Sequence, residues 1–598
     1  MTETTVDTIV HRLLRNAAAS PERIALRRKR DSGWQAFTWS EYAGLANAAA
    51  RAFAARGLQP GQPVAILAGN RLEWAIAALG ALTAGGVVAG VYPTLTAEQT
   101  AYVVGHSGAP IAVVEDREQL DKLRAQRAAL PALAHVLVLD GDHAGDDSGW
   151  VESWEAALAA GTGGAADVVA ARVAGLRPDG LATLVYTSGT TGSPKGVMLS
   201  QDNLTWTADA VQQRLPPGLQ PRLVSYLPLS HIAEQMISLY LGISLVGEVW
   251  FAESLEKLRD NLLDCRPTVF FGVPRVWEKI GSALAQRFAS AHGAKAALLR
   301  FARRTASEVW ERRQRDPALP PSLALRYRLA RALVLDKVRA ALGLDQTRVF
   351  VSSAAPLARA TVDFFASLDM PIFEVYGLSE DSGPATQNNE QHFRFGTVGR
   401  PLPGVDVRIA SDGEVEIRGG NVFQGYFRDP AATAEALHDG WLQSGDVGEI
   451  DADGYLRITD RKKDLLITAG GKNVAPQPIE QRLRAIPEVS QAVVVGDRQP
   501  YLIALLTLDP AAAERWARAA GLASTDPAAL AADPALRKHV EAAIERINAD
   551  LARYETVKRF AILPCELSIE GGELTPTMKI KRRVVTEKYA AAIAGLYA

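Results

Sequence analysis

A hydroxyl-rich glycine loop is the segment of this sequence whose residue types are best suited to chemistry. It lies between apolar runs that end at Tyr186 and begin at Val197, and it reads Thr187-Ser188-Gly189-Thr190-Thr191-Gly192-Ser193-Pro194-Lys195-Gly196. Glycines allow positive φ and bring backbone N–H groups close to an anion, the hydroxyls supply further donors, and Lys195 adds a cation. A Walker loop would place Ser or Thr directly after the lysine, where this chain has Gly196. The segment therefore predicts a polyphosphate-binding loop of another kind.

This loop closely resembles the signature of the adenylate-forming superfamily, which includes acyl-CoA synthetases, luciferases and adenylation domains. The resemblance extends from about residue 20 to residue 595, and further motifs follow in the family's order. It implies an α/β fold with a large N-terminal layered α/β domain, which carries a β-rich subdomain, and a small mobile α+β C-terminal domain. It also implies Mg²⁺ binding at Thr187. The loop residues expected to bind ATP are Thr187, Ser188, Gly189, Thr190, Thr191, Gly192 and Lys195.

Two segments match the family's adenine site. In the motif Tyr376-Gly377-Leu378-Ser379-Glu380, the resemblance implies that the tyrosine packs on adenine, that Ser379 contacts phosphate and that Glu380 holds Mg²⁺. An aromatic face suits a purine, and Mg²⁺ in nucleotide sites usually takes one or two carboxylates together with phosphate oxygens. Without the resemblance, the motif would be interpreted as a turn with a surface glutamate. The other residues expected at adenine are Ala354, Ala355, Pro356, Val375 and Gly377.

The ribose site and the hinge are matched by residues between 440 and 470. Asp446 matches an aspartate that accepts hydrogen bonds from the ribose hydroxyls, although a turn aspartate is the alternative interpretation. Arg461 matches the arginine that supports the ribose and the α-phosphate, and Asp460 matches the hinge. Lys463 is a candidate nucleotide neighbour, whereas Lys462 is expected to be a solvated charge.

A basic segment near the C-terminus matches the family's last motif, whose lysine enters the adenylation site. By position that lysine is Lys579. A cation there would counter the negative charge that accumulates when a carboxylate attacks an α-phosphate. We therefore expect Lys579 and Glu380 to be the catalytic residues. A solvated basic run is expected at Lys581, Arg582 and Arg583.

The acyl pocket is indicated by two segments, Leu227–Glu234 and Phe271–Glu278, which look most like the long-chain branch of the family. His231 matches an aromatic or histidine position, and we expect it to be a wall of the pocket rather than a base. Gly272 is expected to line the same pocket. Some long-chain members carry a tryptophan gate four residues after the histidine, where this chain has Gln235.

The resemblance implies a two-step ligase reaction. ATP and a long-chain fatty acid give an acyl-adenylate and pyrophosphate, and the acyl group then passes to CoA with release of AMP. Between the steps the small domain turns about Asp460, withdraws Lys579 and presents Gly470, Gly471 and Lys472 to CoA. Adjacent glycines would let a pantetheine arm pass close to the backbone.

Two other functions stay open. One is a fatty acyl-AMP ligase or adenylation enzyme that loads a carrier protein; no carrier domain is seen after the last motif, and the histidine segment lacks the aspartate that amino-acid activators use for an ammonium group. The other is a catalytically dead nucleotide-binding or lipid-binding protein on the same fold. The presence of Glu380, Asp446, Arg461 and Lys579 together argues against that second alternative.

The elements that must position these motifs follow from hydrophobic periodicity. Through the first 400 residues, short apolar runs alternate with amphipathic stretches, which predicts alternating strands and helices. A helix is predicted at Arg71–Ala84, and a helical insertion at about 280–345 is broken near Pro317, Pro320 and Pro321. That insertion is expected to present a solvated basic face. Buried strands are predicted at Val64–Ala68, Gly86–Val91, Ile111–Val114 and His135–Leu139.

A β-rich subdomain is predicted at about 400–460, because Asp-Gly turns at 412–413 and 453–454 separate short strands, one of them beginning at Gly448. We place the domain boundary at Asp460-Arg461, which gives domains 1–460 and 461–598. In the second domain, helices are predicted at Ile479–Ala485 and Pro534–Tyr554. The predicted strands there are Gln491–Val495 and Ile503–Leu508.

The composition fits a cytoplasmic enzyme. The 65 Lys and Arg residues and 67 Asp and Glu residues give a net charge of −2, so no global field would recruit nucleic acid or an anionic membrane. The two cysteines, Cys265 and Cys565, lack the spacing of a metal or redox motif, and we expect them to be reduced. We expect no signal peptide and no segment that approaches the roughly 20 apolar residues of a membrane span. Any membrane contact is expected to be peripheral, at the inner face, and the chain to be a monomer or a homodimer.

Overall fold

The computed structural model describes residues 6–31, 33–141, 149–162, 166–187, 193–470, 472–522, 524–575 and 579–598. Two compact units are present. The first contains Met1–Arg408, Glu416–Gln443 and Ala452–Leu456, and the second contains Ile409–Val415, Ser444–Asp451 and Arg457–Ala598. The chain therefore passes between the units five times between residues 408 and 457.

An eight-stranded sheet is the largest sheet of the first unit. Its strands are, in spatial order, Gly425–Tyr426, Lys195–Ser200, Leu181–Thr187, Val87–Val91, Pro63–Leu67, Ile111–Val114, His135–Val138 and Val151–Ser153. The six strands from Leu181–Thr187 onward are parallel, and Lys195–Ser200 is antiparallel to its neighbour. Parallel strands covered on both faces read as continuous apolar runs. The strands predicted from such runs are confirmed, with ends that differ by one residue at most.

Two further sheets complete the β structure of the first unit outside the hairpin-rich segment. One contains Arg222–Ser225, Glu248–Phe251, Ile24–Arg30 and Gly33–Thr38 in that order. The other contains Val269–Gly272, Val349–Ser352, Ile372–Tyr376, Thr386–Gln387 and Arg400–Pro401. The second of these sheets packs on a buried aromatic cluster that includes Phe270, Trp277, Phe350 and Phe365. The cluster includes Phe350 and Phe373, which belong to the two strands that lead into the predicted adenine motifs.

Helices cover the sheets of the first unit. The α-helices are Ile9–Ala19, Trp39–Ala55, Leu72–Thr83, Ala97–Ser107, Arg117–Ala125, Trp154–Thr162, Ala166–Ala174, Gln201–Gln212, Ile232–Glu234, Gly242–Ser244, Leu258–Cys265, Pro274–Ala289, Gly293–Arg313, Pro321–Ala330, Asp336–Ala341, Arg359–Ala366 and Pro430–Ala436. Single turns of 3₁₀ helix occur at Arg127–Ala129 and Ser379–Asp381, and π-helical segments at Gln235–Leu241 and Arg331–Leu335.

The helical insertion begins earlier than its sequence pattern predicts. Its first helix starts at Pro274 rather than near residue 280, because proline fits the first helical position, where its missing N–H has no partner to lose. The predicted break is confirmed, since one helix ends at Arg313 and the next begins at Pro321. These two helices and the π-helical segment pack through small and apolar residues, namely Ala302, Ala306, Ala330 and Leu335.

The hairpin-rich segment contains one strand that is longer than predicted. Its strands are Asp406–Ile409, Glu414–Arg418, Leu437–His438, Trp441–Ile450 and Leu456–Arg461. The strand at Trp441–Ile450 starts seven residues before Gly448, where the pattern placed it. Gly445 explains the error, because its φ of +72° interrupts regular alternation inside the strand.

The second unit has a three-stranded sheet, Val489–Val495, Leu502–Leu508 and Val557–Ile562, and a small hairpin, Leu466–Ile467 and Asn473–Val474. Its helices are Pro476–Arg484, Pro510–Ala519, Pro527–Ala531, Pro534–Asn548, Arg582–Lys588 and Ala590–Tyr597. The long helix ends at Asn548, not at the predicted Tyr554. The Asn548 amide donates to the Val557 carbonyl and accepts from the Val557 N–H, both at 2.9 Å, which turns the chain toward the next strand.

None of the helices in the described ranges is long and apolar enough to cross a bilayer.

Candidate functional site

The two ends of the predicted phosphate loop are held side by side by an antiparallel strand pair. Thr187 is the last residue of one strand, Lys195 is the first of the next, and the two are direct partners in the register. Ser188, Gly189, Thr190, Thr191 and Gly192 lie outside the described residues. The strands therefore fix both ends of the loop against the central sheet.

Lys195 and Glu380 are linked through Tyr426, a residue that the sequence analysis missed. The Lys195 ammonium lies 4.8 Å from the centre of the Tyr426 ring, which is a cation–π distance. The Tyr426 hydroxyl donates to Glu380 Oε1 at 2.9 Å. Burial raises the pKa of Tyr426, and the Glu380 carboxylate raises it further, so the hydroxyl remains a donor. The predicted phosphate-binding lysine and the predicted metal-binding carboxylate are thus close together in the first unit.

Tyr426 had no signal of its own in the sequence. It lies in a two-residue strand, Gly425–Tyr426, that pairs with the strand beginning at Lys195. Gly425 has a φ of +125°, and a Cβ there would lie 2.6 Å from Thr433. Only a residue without a side chain fits at Gly425, and this brings Tyr426 alongside the central sheet.

The predicted adenine residues leave one sheet at neighbouring strand ends. Ala354 and Ala355 follow the strand Val349–Ser352 and are exposed, and Ala354 has a left-handed φ of +76°. A left-handed conformation at a residue with a Cβ costs on the order of 1 kcal/mol and is concentrated at functional sites. Tyr376 ends the adjacent strand and is 9% exposed. The two segments are therefore neighbours, as an adenine site between them would require.

Gly377 cannot be any other residue in this backbone. A Cβ at Gly377 would lie 1.6 Å from the Gly383 carbonyl oxygen, far inside van der Waals contact. Ser379 then opens the 3₁₀ turn Ser379–Asp381, and the Asp381 carboxylate accepts from the Leu378 N–H at 2.8 Å. This tight turn places Ser379 and Glu380 directly after the strand. Val375 and Pro356 lie beside these segments and are half-buried.

In the second unit, the structure brings Asp446 and Arg461 together. Asp446 is 5% exposed, and its Oδ1 lies 3.3 Å from Arg461 Nε. An arginine beside a carboxylate fixes the orientation of that carboxylate through a charge-assisted contact. Lys463 is exposed in the turn after the strand that ends at Arg461. Lys462 was expected to be only solvated, but it donates to Asp412 at 2.6 Å and to Glu414 at 2.7 Å.

Asp460 is almost completely buried, at 1% exposed. Its carboxylate accepts from the Arg461 N–H at 2.6 Å and from the Gln477 N–H at 3.1 Å. Burial raises the pKa of Asp460 to about 6, although these two donors oppose the shift. The carboxylate thus joins the predicted hinge to the start of the helix Pro476–Arg484.

Lys579 is exposed at one end of a short hairpin in the second unit. Leu574 and Ile580 form an antiparallel bridge, the Thr575 N–H donates to the Lys579 carbonyl at 2.8 Å, and the Lys579 N–H donates to Thr575 Oγ1 at 3.0 Å. Pro576, Thr577 and Met578 lie outside the described residues. The backbone of Lys579 is therefore fixed while its side chain projects to the surface.

Arg582 corrects the expectation of a solvated basic run. Its side chain is 17% exposed, and Nη1 donates to Glu480 Oε1 at 2.7 Å and to the Val494 carbonyl at 2.8 Å. The next arginine, Arg583, is 61% exposed, and within the described part of the chain its ion pair is with Glu587 on its own helix. The helix Arg582–Lys588 turns one arginine of the run inward and the next outward, which the local charge pattern could not distinguish.

Gly470 and Lys472 lie in the turn of the hairpin Leu466–Ile467 and Asn473–Val474, and both are exposed. Gly471 lies outside the described residues. The turn is closed by Thr468, whose N–H donates to the Lys472 carbonyl at 3.0 Å and whose hydroxyl accepts from the Lys472 N–H at 3.2 Å. A Cβ at Gly470 would meet nothing closer than 3.9 Å, so space beside this backbone is open.

His231 and Gln235 lie one turn apart where a helix turns into a π-helix. His231 Nδ1 accepts from the Ala233 N–H at 3.1 Å, which places the proton of a neutral ring on Nε2. Gln235 is fully buried and its Oε1 accepts from the Tyr240 hydroxyl at 2.7 Å. The π-helix Gln235–Leu241 holds Tyr240 in reach of Gln235, and such segments are frequent at functional sites.

Glu234 is the last residue of the predicted pocket segment Leu227–Glu234, and the sequence predicted no role for it. It is fully buried, and its carboxyl oxygens contact the Ser225 hydroxyl at 2.6 Å, the Ser238 hydroxyl and the Leu227 N–H at 3.2 Å. Burial raises the pKa of Glu234 to about 7, against the opposing effect of these donors. The group therefore ties both ends of the His231 segment to the neighbouring strand.

Gly272 ends the strand Val269–Gly272 against the indole of Trp277. A Cβ at Gly272 would lie 2.7 Å from Trp277 Nε1, which itself donates to the Val351 carbonyl at 3.2 Å. The close packing explains the glycine as a structural requirement. Its place in an acyl pocket stays a prediction.

The residues fit Mg²⁺ only with help from a substrate. Among the residues that the structure describes, no group of three or more His, Cys, Asp and Glu side chains could hold a metal. Glu380 has one oxygen bound by Tyr426, which leaves the other as a ligand. A single carboxylate is the usual protein share of a Mg²⁺ site that is completed by phosphate oxygens and water.

The sequence of this chain is similar to known protein families and to known proteins. Residues 13–427 match the model of the AMP-binding enzyme family, and residues 463–598 match that of the AMP-binding enzyme C-terminal domain. The long-chain-fatty-acid–CoA ligase FadD15 of Mycobacterium bovis is 38% identical over 99% of this chain and 97% of its own length. The long-chain-fatty-acid–CoA ligase ACSBG2 of Mus musculus is 36% identical over 96% of this chain and 90% of its own length.

Solved structures share the fold. ATP-bound MatB from Rhodopseudomonas palustris has a TM-score of 0.71 at 24% identity and covers 98% of this chain and 99% of its own. The A-PCP didomain of a carboxylic acid reductase from Segniliparus rugosus, in complex with AMP, has a TM-score of 0.76 at 21% identity and covers 100% of this chain and 83% of its own. The predicted α/β fold of adenylate-forming enzymes is therefore confirmed.

Proposed function

This chain belongs to the AMP-binding enzyme family, and we propose that it is a long-chain fatty acid–CoA ligase. It converts a fatty acid, ATP and CoA into acyl-CoA, AMP and pyrophosphate through an acyl-adenylate. The observation that carries this proposal is the similarity of almost the whole chain to ligases of that activity, both bacterial and animal. The Lys195–Tyr426–Glu380 arrangement supports the adenylation step.

In the first step, the phosphate loop between Thr187 and Lys195 binds the triphosphate, and adenine lies between Tyr376 and the Ala354–Pro356 segment. Asp446 accepts from the ribose hydroxyls and Arg461 orients Asp446. Lys579 then counters the charge of the carboxylate and the α-phosphate as they approach each other. Two anions in contact repel strongly in a site that excludes water, so a cation across both lowers the barrier.

Bound Mg²⁺, held by Glu380 and Thr187 together with phosphate oxygens, would neutralise charge on the triphosphate. Tyr426 keeps the Glu380 carboxylate in one orientation, and the same ring holds the Lys195 ammonium. Both predicted phosphate-site charges thus depend on one aromatic side chain.

In the second step, residues 461–598 turn about Asp460 as a mobile C-terminal domain. Lys579 leaves the site, and the Gly470–Lys472 turn lines the path of CoA. Domain rotation that serves two half-reactions in one site is a form of conformational gating. His231, Gln235 and Gly272 line the acyl pocket, and the enzyme works in the cytoplasm, with any membrane contact peripheral.

Transfer to a carrier protein is the second candidate acceptor. The A-PCP didomain of the carboxylic acid reductase shares the fold and includes a PCP, but at 21% identity it supports the fold alone. CoA is favoured because the relatives that match almost the full length are CoA ligases by name.

The deciding experiment measures pyrophosphate release and thioester formation with a panel of acids from acetate to oleate, with and without CoA. We expect release to depend on the acid, to be largest for long chains, and to turn over only when CoA is present. Release that never depends on an acid would contradict the ligase function. Accumulation of acyl-adenylate that CoA does not discharge would instead favour the carrier-loading alternative.

A further inference from the structure

Three leucines form an exposed stripe on the helical insertion. Leu325, Leu329 and Leu333 are 61%, 49% and 46% exposed, and they follow each other at four-residue intervals. Residues four apart share one face of a helix. Ala330 and Leu335, by contrast, are buried against the preceding helix, and Leu323 is also buried. Exposure of a leucine side chain to water is unfavourable, and here it occurs at three successive helical turns. An exposed apolar stripe of this kind indicates a surface that binds a partner.

The same insertion carries a strong local positive charge. Residues 293–341 contain 12 Lys and Arg residues and 4 Asp and Glu residues, in a chain whose net charge is −2. Arg326 and Arg331 are paired with Glu308 and Asp336. Arg328, which is exposed between the first two leucines, makes no ion pair within the described part of the chain, and neither do Arg300 and Arg304.

The helix Gly293–Arg313 adds exposed apolar side chains to the same insertion. Leu298 is 37% exposed and Phe301 is 36% exposed. Exposed Arg300 and Arg304 flank them on the same helix. The insertion thus combines exposed apolar groups with uncompensated arginines on two of its helices, Gly293–Arg313 and Pro321–Ala330.

We propose that the leucine stripe, formed by Leu325, Leu329 and Leu333, binds the surface of an anionic lipid bilayer together with Arg328. Amphipathic helices with leucine on one side and arginine around it bury their apolar face roughly 5–10 Å into the headgroup region. Each basic residue near an anionic surface strengthens binding roughly fivefold. The positive charge selects an acidic surface, and the leucines supply the contact that charge alone lacks.

A second protein molecule fits the stripe less well. A stable protein interface buries roughly 800 Å² on each partner, which three partly exposed leucines on one helix do not approach. Two copies meeting through this face would also bring their unpaired arginines together. The bilayer proposal rests on the proposed function in one respect, because a ligase of long-chain acids draws on a substrate that partitions into membranes.

The test uses the full-length protein and sedimentation with vesicles. Vesicles of equal parts phosphatidylglycerol and phosphatidylcholine should bind the protein, and vesicles of phosphatidylcholine alone should bind it at least tenfold more weakly. The triple variant L325Q/L329Q/L333Q should lose at least tenfold of the binding to anionic vesicles. Glutamine keeps helix propensity, so the change removes apolar contact rather than the helix.

Matched controls separate this surface from any exposed leucine. Leu255 and Leu263 are 51% and 40% exposed outside the insertion, and the variant L255Q/L263Q should bind vesicles as the original chain does. R328E should weaken binding severalfold, and high salt should abolish the difference between R328E and the original chain. Thermal unfolding of each variant should match that of the original chain.

The outcomes distinguish this proposal from the proposed function. Acid-dependent pyrophosphate release with octanoate in solution should be unchanged in the triple variant, whereas oleate delivered in anionic vesicles should be used more slowly. Vesicle binding that survives in the triple variant overturns the membrane proposal and leaves the ligase function intact. A change from dimer to monomer in the triple variant, without loss of vesicle binding, would assign the stripe to contact between copies instead. If the original chain shows no acid-dependent turnover, that result would contradict the ligase function but not the membrane proposal.

Discussion

Arg582 and Glu480 form an ion pair of 2.7 Å across 102 residues of sequence. Both side chains are largely removed from solvent, at 17% and 9% exposed. Glu480 also accepts from the Val494 N–H at 2.8 Å, so the pair joins the helix Pro476–Arg484, a sheet strand and the segment that follows Lys579. The orientation of the Lys579 hairpin in the second unit therefore depends on a charge pair outside it.

Replacing Arg582 with Ala should lower the free energy of unfolding of the second unit by about 3 kcal/mol, because Glu480 is left buried without its cation. Denaturant unfolding followed by hydrogen exchange of the Val489–Val495 strand would measure this. Arg583→Ala is the matched control, since Arg583 is exposed and should change stability by less than about 0.5 kcal/mol. Equal effects of the two substitutions would show that the ion pair does not stabilise the unit.

Replacing Lys579 with Ala should slow adenylate formation by roughly 100- to 1,000-fold, the usual effect of removing one group that stabilises charge in a transition state. The conversion of a supplied acyl-adenylate and CoA into acyl-CoA should stay within about threefold of the original rate. The two half-reactions are measured separately, as pyrophosphate exchange and thioester formation. Lys581→Ala, two residues away, should leave both rates unchanged; equal losses in both half-reactions for Lys579→Ala would contradict its role.

Replacing Tyr426 with Phe should reduce adenylation about tenfold, because Glu380 loses the hydroxyl that orients it, a charge-assisted bond of roughly 1.5 kcal/mol. The Mg²⁺ concentration for half-maximal activity should rise, since Glu380 then adopts several orientations. Tyr426→Leu should reduce activity further, because the ring beneath Lys195 is also removed. A Phe variant with the original Mg²⁺ dependence would show that the hydroxyl does not position Glu380.

Replacing Glu234 with Gln should change how stability depends on pH. The pKa of Glu234 is raised from 4.5 to about 7 in the folded chain, so between these values the folded state keeps a proton that the unfolded state releases. The contribution of Glu234 to the free energy of unfolding is therefore greatest below pH 4.5 and falls as pH rises. Above pH 7 it is lower than below pH 4.5 by on the order of 3 kcal/mol.

Glutamine should remove that dependence, because its amide can donate to the serine hydroxyls and its oxygen can accept from the Leu227 N–H. Relative to the original chain, Glu234→Gln should gain stability steadily from pH 5 to pH 8 in denaturant unfolding. Glu570→Gln, at an exposed carboxyl, is the control and should show no such trend. A pH-independent difference for Glu234→Gln would mean that Glu234 is ionised in the folded chain.

The sequence was sufficient where one physical requirement dominates a short segment. Strands buried on both faces must be apolar throughout, so Ile111–Val114 could be located to the residue. At Gly377 the backbone lies so close to the Gly383 carbonyl that there is no room for a Cβ, and the motif that contains this glycine could be recognised in the sequence. The functional assignment of that motif stays a prediction that the experiments above address.

The sequence was insufficient where the partner is distant along the chain. Arg582 and the neighbouring basic residues have the same local charge pattern in the sequence. The contact with Glu480 is what distinguishes Arg582, which is largely buried, from the others. Tyr426 contacts Glu380 from 46 residues away through a two-residue strand that has no periodicity to detect. Glu234 has a polar type, so its complete burial is decided by the serines and the backbone around it.

Lys462 donates to Asp412 and Glu414, which precede it by 50 and 48 residues and belong to the same unit. A recombinant fragment that starts at Arg457 would contain this lysine but neither carboxylate, and it would also lack Asp446 beside Arg461. The second unit therefore cannot be transferred to another protein as one continuous segment that begins at Arg457. Exchange of C-terminal segments between related enzymes at residue 460 would succeed only if the incoming lysine found matching acids already present in the recipient, which limits how freely such parts can recombine.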